Sequence, residues 1–274
     1  MKFFVAGIKS RSIRVFSLFR PPSETPLATM CFHALLTVRR IRLLSGLVMF
    51  AYLTAHLLNH ALGIFSLTLA ESGLKLAIVF WRNPVATFFL YGAAVVHVAL
   101  ALWTLYSRRE WHLPWIELVR FAAGFSFPLL LIGHVVTARL GDALFDIRPS
   151  YALIIGNLLA AGRQGMQLAL LAPGWLHGCL GLWITLRRFD VMQRVKPVLI
   201  ALVILVPLMA ALGFLRMAVD VSVLGPRPPA SPEVLTEQMT LGAWKDRLTM
   251  WYLATVAAVF LLGRLRALAL GRSA

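Results

Sequence analysis

Five histidines lie inside long apolar stretches of this chain: His56 and His60 in YLTAHLLNHALG, His97 in HVALALW, His134 in GHVVTARL and His177 in WLHGCLGLW. Imidazole is costly in hydrocarbon, so an ionisable residue in a membrane span is a functional hypothesis by default. A single such histidine is readily explained as an interhelical hydrogen bond. Four consecutive apolar stretches each carrying at least one are harder to explain that way. Two neutral imidazoles facing each other across a bundle suit axial ligation of a b-type haem, one nitrogen from each side. The remaining two histidines, His33 and His112, lie in polar flanks.

The elements that must hold these residues follow from composition. Of 274 residues 59% are apolar and 14% charged, with a mean hydropathy of +0.79, the profile of an integral membrane protein. Six apolar stretches, near 43–66, 84–106, 119–139, 166–186, 197–217 and 248–266, are each about 20 residues long. Backbone groups have no water partner in hydrocarbon, so each stretch is expected to be a transmembrane α-helix. The expected fold is all-α, with the first four helices forming a haem-binding bundle. Residues 71–82 are too short to span and read as an interfacial helix, and 141–165 as a loop with a re-entrant or surface helix. The domain reading is a basic segment (1–40), a five-helix bundle (41–218), a Pro-rich loop on the outer side (219–247), and a sixth span with a short tail (248–274).

The net charge of +16 would suit nucleic acid in a soluble protein, but here its distribution points to the membrane. Eighteen of the 27 Lys and Arg residues fall on one side if the six spans alternate: the N-terminal segment, the 107–120 and 187–196 turns, and the C-terminus. The richer side is the cytoplasmic one, which puts both termini there. Cys31 and Cys179 form no CxxC or CxxCH pair, which argues against a zinc-thiolate site and covalent haem c. The first thirty residues lack the apolar centre and cleavage site of a signal peptide. They read as an amphipathic surface segment or as an overlong start upstream of Met30.

With arginines as cytoplasmic markers, His56 lies 14 residues after Arg42 and His134 lies 14 after Arg120, about 21 Å in each case. His97 precedes Arg108 by 11 residues and His177 precedes Arg187 by 10, about 15–16 Å. Two depth-matched pairs result: His56 with His134 nearer the outer face, and His97 with His177 nearer the cytoplasm. A porphyrin also needs room beside the helix backbones. Gly174, Gly178 and Gly181 flank His177, while Ala93, Ala94 and Ala101 flank His97. Small residues equally serve close helix packing. His60 shares a face with His56 and competes with it as ligand. Depth favours His56, leaving His60 to a propionate, a quinone or an interhelical bond. Arg139, five residues beyond His134, is a candidate propionate partner.

The segments RRIRLLSGLVMFAYLTAHLLNH, HVALALW, GHVVTARL and WLHGCLGLW resemble the six-helix membrane domain of certain bacterial class III adenylate cyclases. That domain is in turn similar to the di-haem cytochrome b anchor of succinate:quinone oxidoreductases. The resemblance covers about residues 39–218. It implies two non-covalent haems b, one between His56 and His134 and one between His97 and His177. It also implies a quinone-linked redox sensor in the bacterial inner membrane with a cytoplasmic cyclase as output. These 274 residues contain no cyclase and no iron–sulfur cysteines, so no catalytic domain is expected in this chain. It reads as a piece of a cyclase, or as a stand-alone sensor or electron carrier. The expected partners are the lipid bilayer, quinone, and a cyclase domain or dehydrogenase subunits, with a homodimer also open and no nucleic acid. Two alternatives stand beside this: a cytochrome b anchor subunit of a succinate dehydrogenase-like complex, and a histidine-based transporter. Few acidic residues fall within the spans, which counts against the transporter.

Overall fold

The computed structural model describes residues 26–225 and 231–271, with side chains from residue 37 onward. The basic segment before residue 26 lies outside the described residues. The chain divides into two units, Met1–Ile41 and Arg42–Ala274. In the first, residues 26–41 are helical.

Among the described residues every regular element is helical. These are α1 (Pro26–Leu62), α2 (Leu67–Trp81), α3 (Pro84–Ser107), α4 (Trp115–Val135), a π-helical turn (Val136–Leu140), α5 (Gly141–Phe145), α6 (Tyr151–Ala160), α7 (Gln164–Leu186), α8 (Asp190–Arg194), α9 (Lys196–Val223) and α10 (Pro232–Gly271). Six of them are long and apolar enough to cross a membrane: α1 from Thr37, α3, α4 with its continuation to Phe145, α7, α9 and α10. The chain is an all-α, multi-pass membrane protein. Its outer surface carries large apolar side chains such as Leu76, Val79, Phe88 and Ile204, a shell suited to lipid rather than water.

Local chemistry sets the helix limits. Ser66, Asn83 and Ser150 cap α2, α3 and α6 by accepting from the backbone N–H groups of Leu69, Ala86 and Leu153. Pro84 opens α3 at a position where no amide hydrogen is needed. The short apolar segments expected at 71–82 and within 141–165 are α2 and α6.

The Pro-rich loop expected at 219–247 is much shorter than that. Helix α9 runs on to Val223 and α10 starts at Pro232, whose missing amide hydrogen suits a first helical position. The residues that follow, EVLTEQMTLGAWKDRL, include good helix formers and no further proline.

Prolines inside α4, α7 and α9 each remove one helical hydrogen bond. In α9 the carbonyl left over by Pro207 is that of Val203, and the indole Nε1 of Trp175 donates to it at 2.9 Å. A bond of this kind lets a proline persist where lipid offers no partner.

Helix α4 packs extensively against α7, while α10 lies on α3 and α4, and α9 on α6 and α7. Two crossings bring backbones together. A Cβ on Gly213 would collide with the His60 carbonyl, joining α9 to α1, and one on Gly263 would lie 2.7 Å from the Tyr106 carbonyl, joining α10 to α3.

Candidate functional site

The spans converge their histidines in two places. At the first, His97 of α3 and His177 of α7 stand with ring centres 6.1 Å apart and planes at 86°. His177 Nδ1 lies 2.9 Å from the backbone carbonyl of Arg120 on α4. A carbonyl only accepts, so Nδ1 carries the proton and Nε2 keeps its lone pair. On the other side Ser45 Oγ lies 3.2 Å from His97 Nδ1 and donates its own hydrogen to the Arg42 carbonyl at 3.1 Å. The hydroxyl can therefore accept from His97 Nδ1–H, an arrangement that leaves Nε2 with the lone pair. His177 thus holds the tautomer of a metal ligand anchored through its second nitrogen, and the His97 contact is compatible with the same one.

Glycines make this placement sterically possible. A Cβ on Gly124 would sit 2.5 Å from His177 Nδ1, and one on Gly46 would sit 3.2 Å from His97 Cε1. Each imidazole rests on the backbone of a neighbouring helix at a point where a side chain would push it away. Two arginines lie at the same level. Arg42 donates to Thr104 Oγ1 at 2.8 Å, and Arg120 Nε is buried without a hydrogen-bond partner among the described residues.

At the second place His56 of α1 and His134 of α4 have ring centres 5.7 Å apart, with planes at 69°. His134 Nδ1 lies 3.1 Å from the side-chain amide of Gln167. His56 Nε2 lies 3.2 Å from His60 Nε2, so a single proton is shared along that line. His60 is buried and packs on the Tyr151 ring with centres 5.3 Å apart, and its Nδ1 has no hydrogen-bond partner among the described residues. Beside it Asn59 Nδ2 donates to the Tyr151 hydroxyl at 2.8 Å. Tyr52 stacks on His56 at 5.9 Å.

The remaining candidates are placed as follows. Gly174 lies against the ring of Phe127 and Gly178 against the ring of Phe50, while a Cβ on Gly181 would meet nothing within 4 Å. The flat neighbours of the first two glycines are thus aromatic side chains. Ala94 and Ala101 are half-buried on α3. Arg139 donates from Nε to the Tyr91 hydroxyl at 2.8 Å and lies over that ring. Among the described residues no group of three or more His, Cys, Asp and Glu side chains converges as an all-protein metal cage would.

The arginine markers pair the histidines by depth but leave the offset between the two pairs open. Arg42 and Arg120, however, lie beside the His97–His177 pair, well inside the bundle from the level of Arg108 and Arg187. Gly46 and Gly124 touch that pair, and each is ten residues before a histidine of the other pair, a rise of about 15 Å.

The donor set fits haem b. The two facing imidazoles of each pair would hold the haem iron, and haem would supply one-electron redox chemistry there. The buried Arg120 Nε suits an anionic propionate. Composition and spacing did not single out Ser45, Gly46, Gly124, Gln167 or Tyr151. For Ser45, Gly46, Gly124 and Gln167 the only signal is a polar or glycine residue inside an apolar span, and Tyr151 lies outside the six spans, at the start of α6. No family model, no curated protein and no solved structure matches the chain.

Proposed function

We propose that the chain is a membrane-embedded di-haem b module that exchanges electrons with quinone and senses or passes on redox state. In this reading it resembles the regulatory membrane domain of bacterial class III adenylate cyclases, sits in a bacterial inner membrane, and has both termini in the cytoplasm. No catalytic domain is assigned to it.

The observation that carries the reading is the His97–His177 pair. His177 has its Nδ1–H held by a carbonyl and its Nε2 lone pair left for a metal, and the Ser45 contact at His97 Nδ1 is compatible with the same arrangement. Ser45 and the Arg120 carbonyl fix the ring orientations, Gly46 and Gly124 give the rings room, and Arg120 Nε offers a donor to a propionate. Haem, when bound, supplies one-electron redox chemistry whose potential follows from ligation, burial and hydrogen bonding. His56 and His134 are assigned to the second haem, with Gln167 orienting His134. We assign quinone contact to His60 and Tyr151, because His60 Nδ1 is a buried hydrogen-bonding group with no protein partner among the described residues.

The test is an optical spectrum and a pyridine haemochrome assay on the chain purified in detergent. Two haems b per chain, with reduced b-type bands, are expected. Well under one haem per chain would refute the reading.

A further inference from the structure

Where α10 and α3 cross at Gly263 and Tyr106 their backbones touch. Just beyond that crossing, towards the arginine-rich face, the end of α10 and the turn after α3 form an open cleft of about 320 Å³ lined by Arg109, Arg264, Ala267, Leu268, Leu270 and Gly271. Its lining combines two arginines with short or branched aliphatic residues. Arg264 Nη1 donates to the Arg109 carbonyl at 3.3 Å, which places that guanidinium beside the turn after α3. The flanking cations are engaged differently, Arg266 over the Tyr106 ring at 5.1 Å and Arg108 over the Trp111 ring at 5.8 Å. Among the described residues neither Arg109 nor Arg264 has a carboxylate within ion-pair distance. Tyr106, Trp111 and the exposed Trp103 mark the level as that of the lipid headgroups.

We propose that this wedge binds an anionic phospholipid, its phosphate between Arg109 and Arg264 and the start of an acyl chain along Ala267 and Leu268. Guanidinium is the side chain best matched to phosphate, and basic pockets between helix ends on the cytoplasmic side suit acidic headgroups. The aliphatic wall selects a lipid over a free phosphate ion.

The experiment is native mass spectrometry of the full chain in detergent, with phosphatidylglycerol or phosphatidylcholine added. Phosphatidylglycerol is expected to be retained and phosphatidylcholine lost. Arg109→Gln and Arg264→Gln are each expected to weaken retention about five-fold, and the double variant about thirty-fold. Arg187→Gln with Arg188→Gln, on the same face but outside the wedge, should leave it unchanged. Ala267→Phe keeps both charges and fills the apolar side, and it should also lose the lipid. Helical circular dichroism on each variant separates lost lipid from lost fold. Equal retention of the two lipids, retention by the double variant, or displacement by an equal concentration of inorganic phosphate would each overturn the proposal.

Discussion

His177 gives its Nδ1 proton to the backbone carbonyl of Arg120 at 2.9 Å, and that bond decides which of its nitrogens is left for a metal. His97 faces it from α3, at right angles and 6.1 Å away between ring centres. A bis-imidazole site fails when either axial ligand goes. His97→Ala and His177→Ala should therefore each remove the same haem, and the double variant should be no worse than either. Reduced-minus-oxidised spectra check this, and single variants that removed different components would show the pairing to be wrong.

Ser45→Ala leaves both ligands in place and removes only the acceptor of His97 Nδ1–H. Such an acceptor makes the ligand more basic, which favours the oxidised metal. Its loss should raise the midpoint potential of that haem and weaken haem binding about ten- to a hundred-fold. Potentiometric titration and haem transfer to apomyoglobin measure the two effects. Gly124→Ala should act more severely, because its Cβ would lie 2.5 Å from His177 Nδ1 and force the ring out of place.

At the outer pair His56, not His60, is expected to be the ligand, so His56→Ala should cost one haem and His60→Ala should keep two. The ring centre of His56 is 5.7 Å from that of His134, while His60 bonds to His56 Nε2 and packs on Tyr151. Removing His60 frees that nitrogen and should shift the outer potential. Haem counts showing the reverse, with His60→Ala losing haem and His56→Ala keeping it, would move the site one helical turn outward.

The six spans are legible in the sequence because hydrocarbon demands long apolar helices, and each expected stretch lies largely within one of them. The histidines are equally conspicuous, being rare and expensive in such surroundings. What escapes is everything that sets their orientation. Ser45 and Gln167 are ordinary helix residues, and the Arg120 acceptor is a main-chain atom that no side-chain pattern reveals. Arg42 misleads as a depth marker because its guanidinium turns inward to Thr104 rather than outward to water. Pro226, Pro228 and Pro229 suggest a long loop, yet Pro232 at the first turn of α10 starts a helix rather than breaking one.

Trp175 and Pro207 form a further pair open to test. Trp175→Phe keeps most of the packing but strips the Val203 carbonyl of its donor, at a cost of about 1–3 kcal/mol. Pro207→Ala restores an amide hydrogen to the same carbonyl. In that background Trp175→Phe should cost much less. Thermal unfolding in detergent across the four-member cycle measures the coupling, and simple additivity would show that the indole bond does not compensate the proline.

Helix α10 has 40 residues, a rise of about 60 Å against about 30 Å of hydrocarbon. After Pro232 it contains no proline, whereas α4, α7 and α9 each carry one in their interior. Near one end it presses on α3 at Tyr106; towards the other, Leu241 lies beside Gly141, just past the π-helical turn that follows His134. Unlike α4, α7 and α9, it runs unbroken by proline between the Tyr106 crossing and the neighbourhood of Gly141. With no amide hydrogen missing from its interior, α10 is expected to bend less than the proline-interrupted α4, α7 and α9.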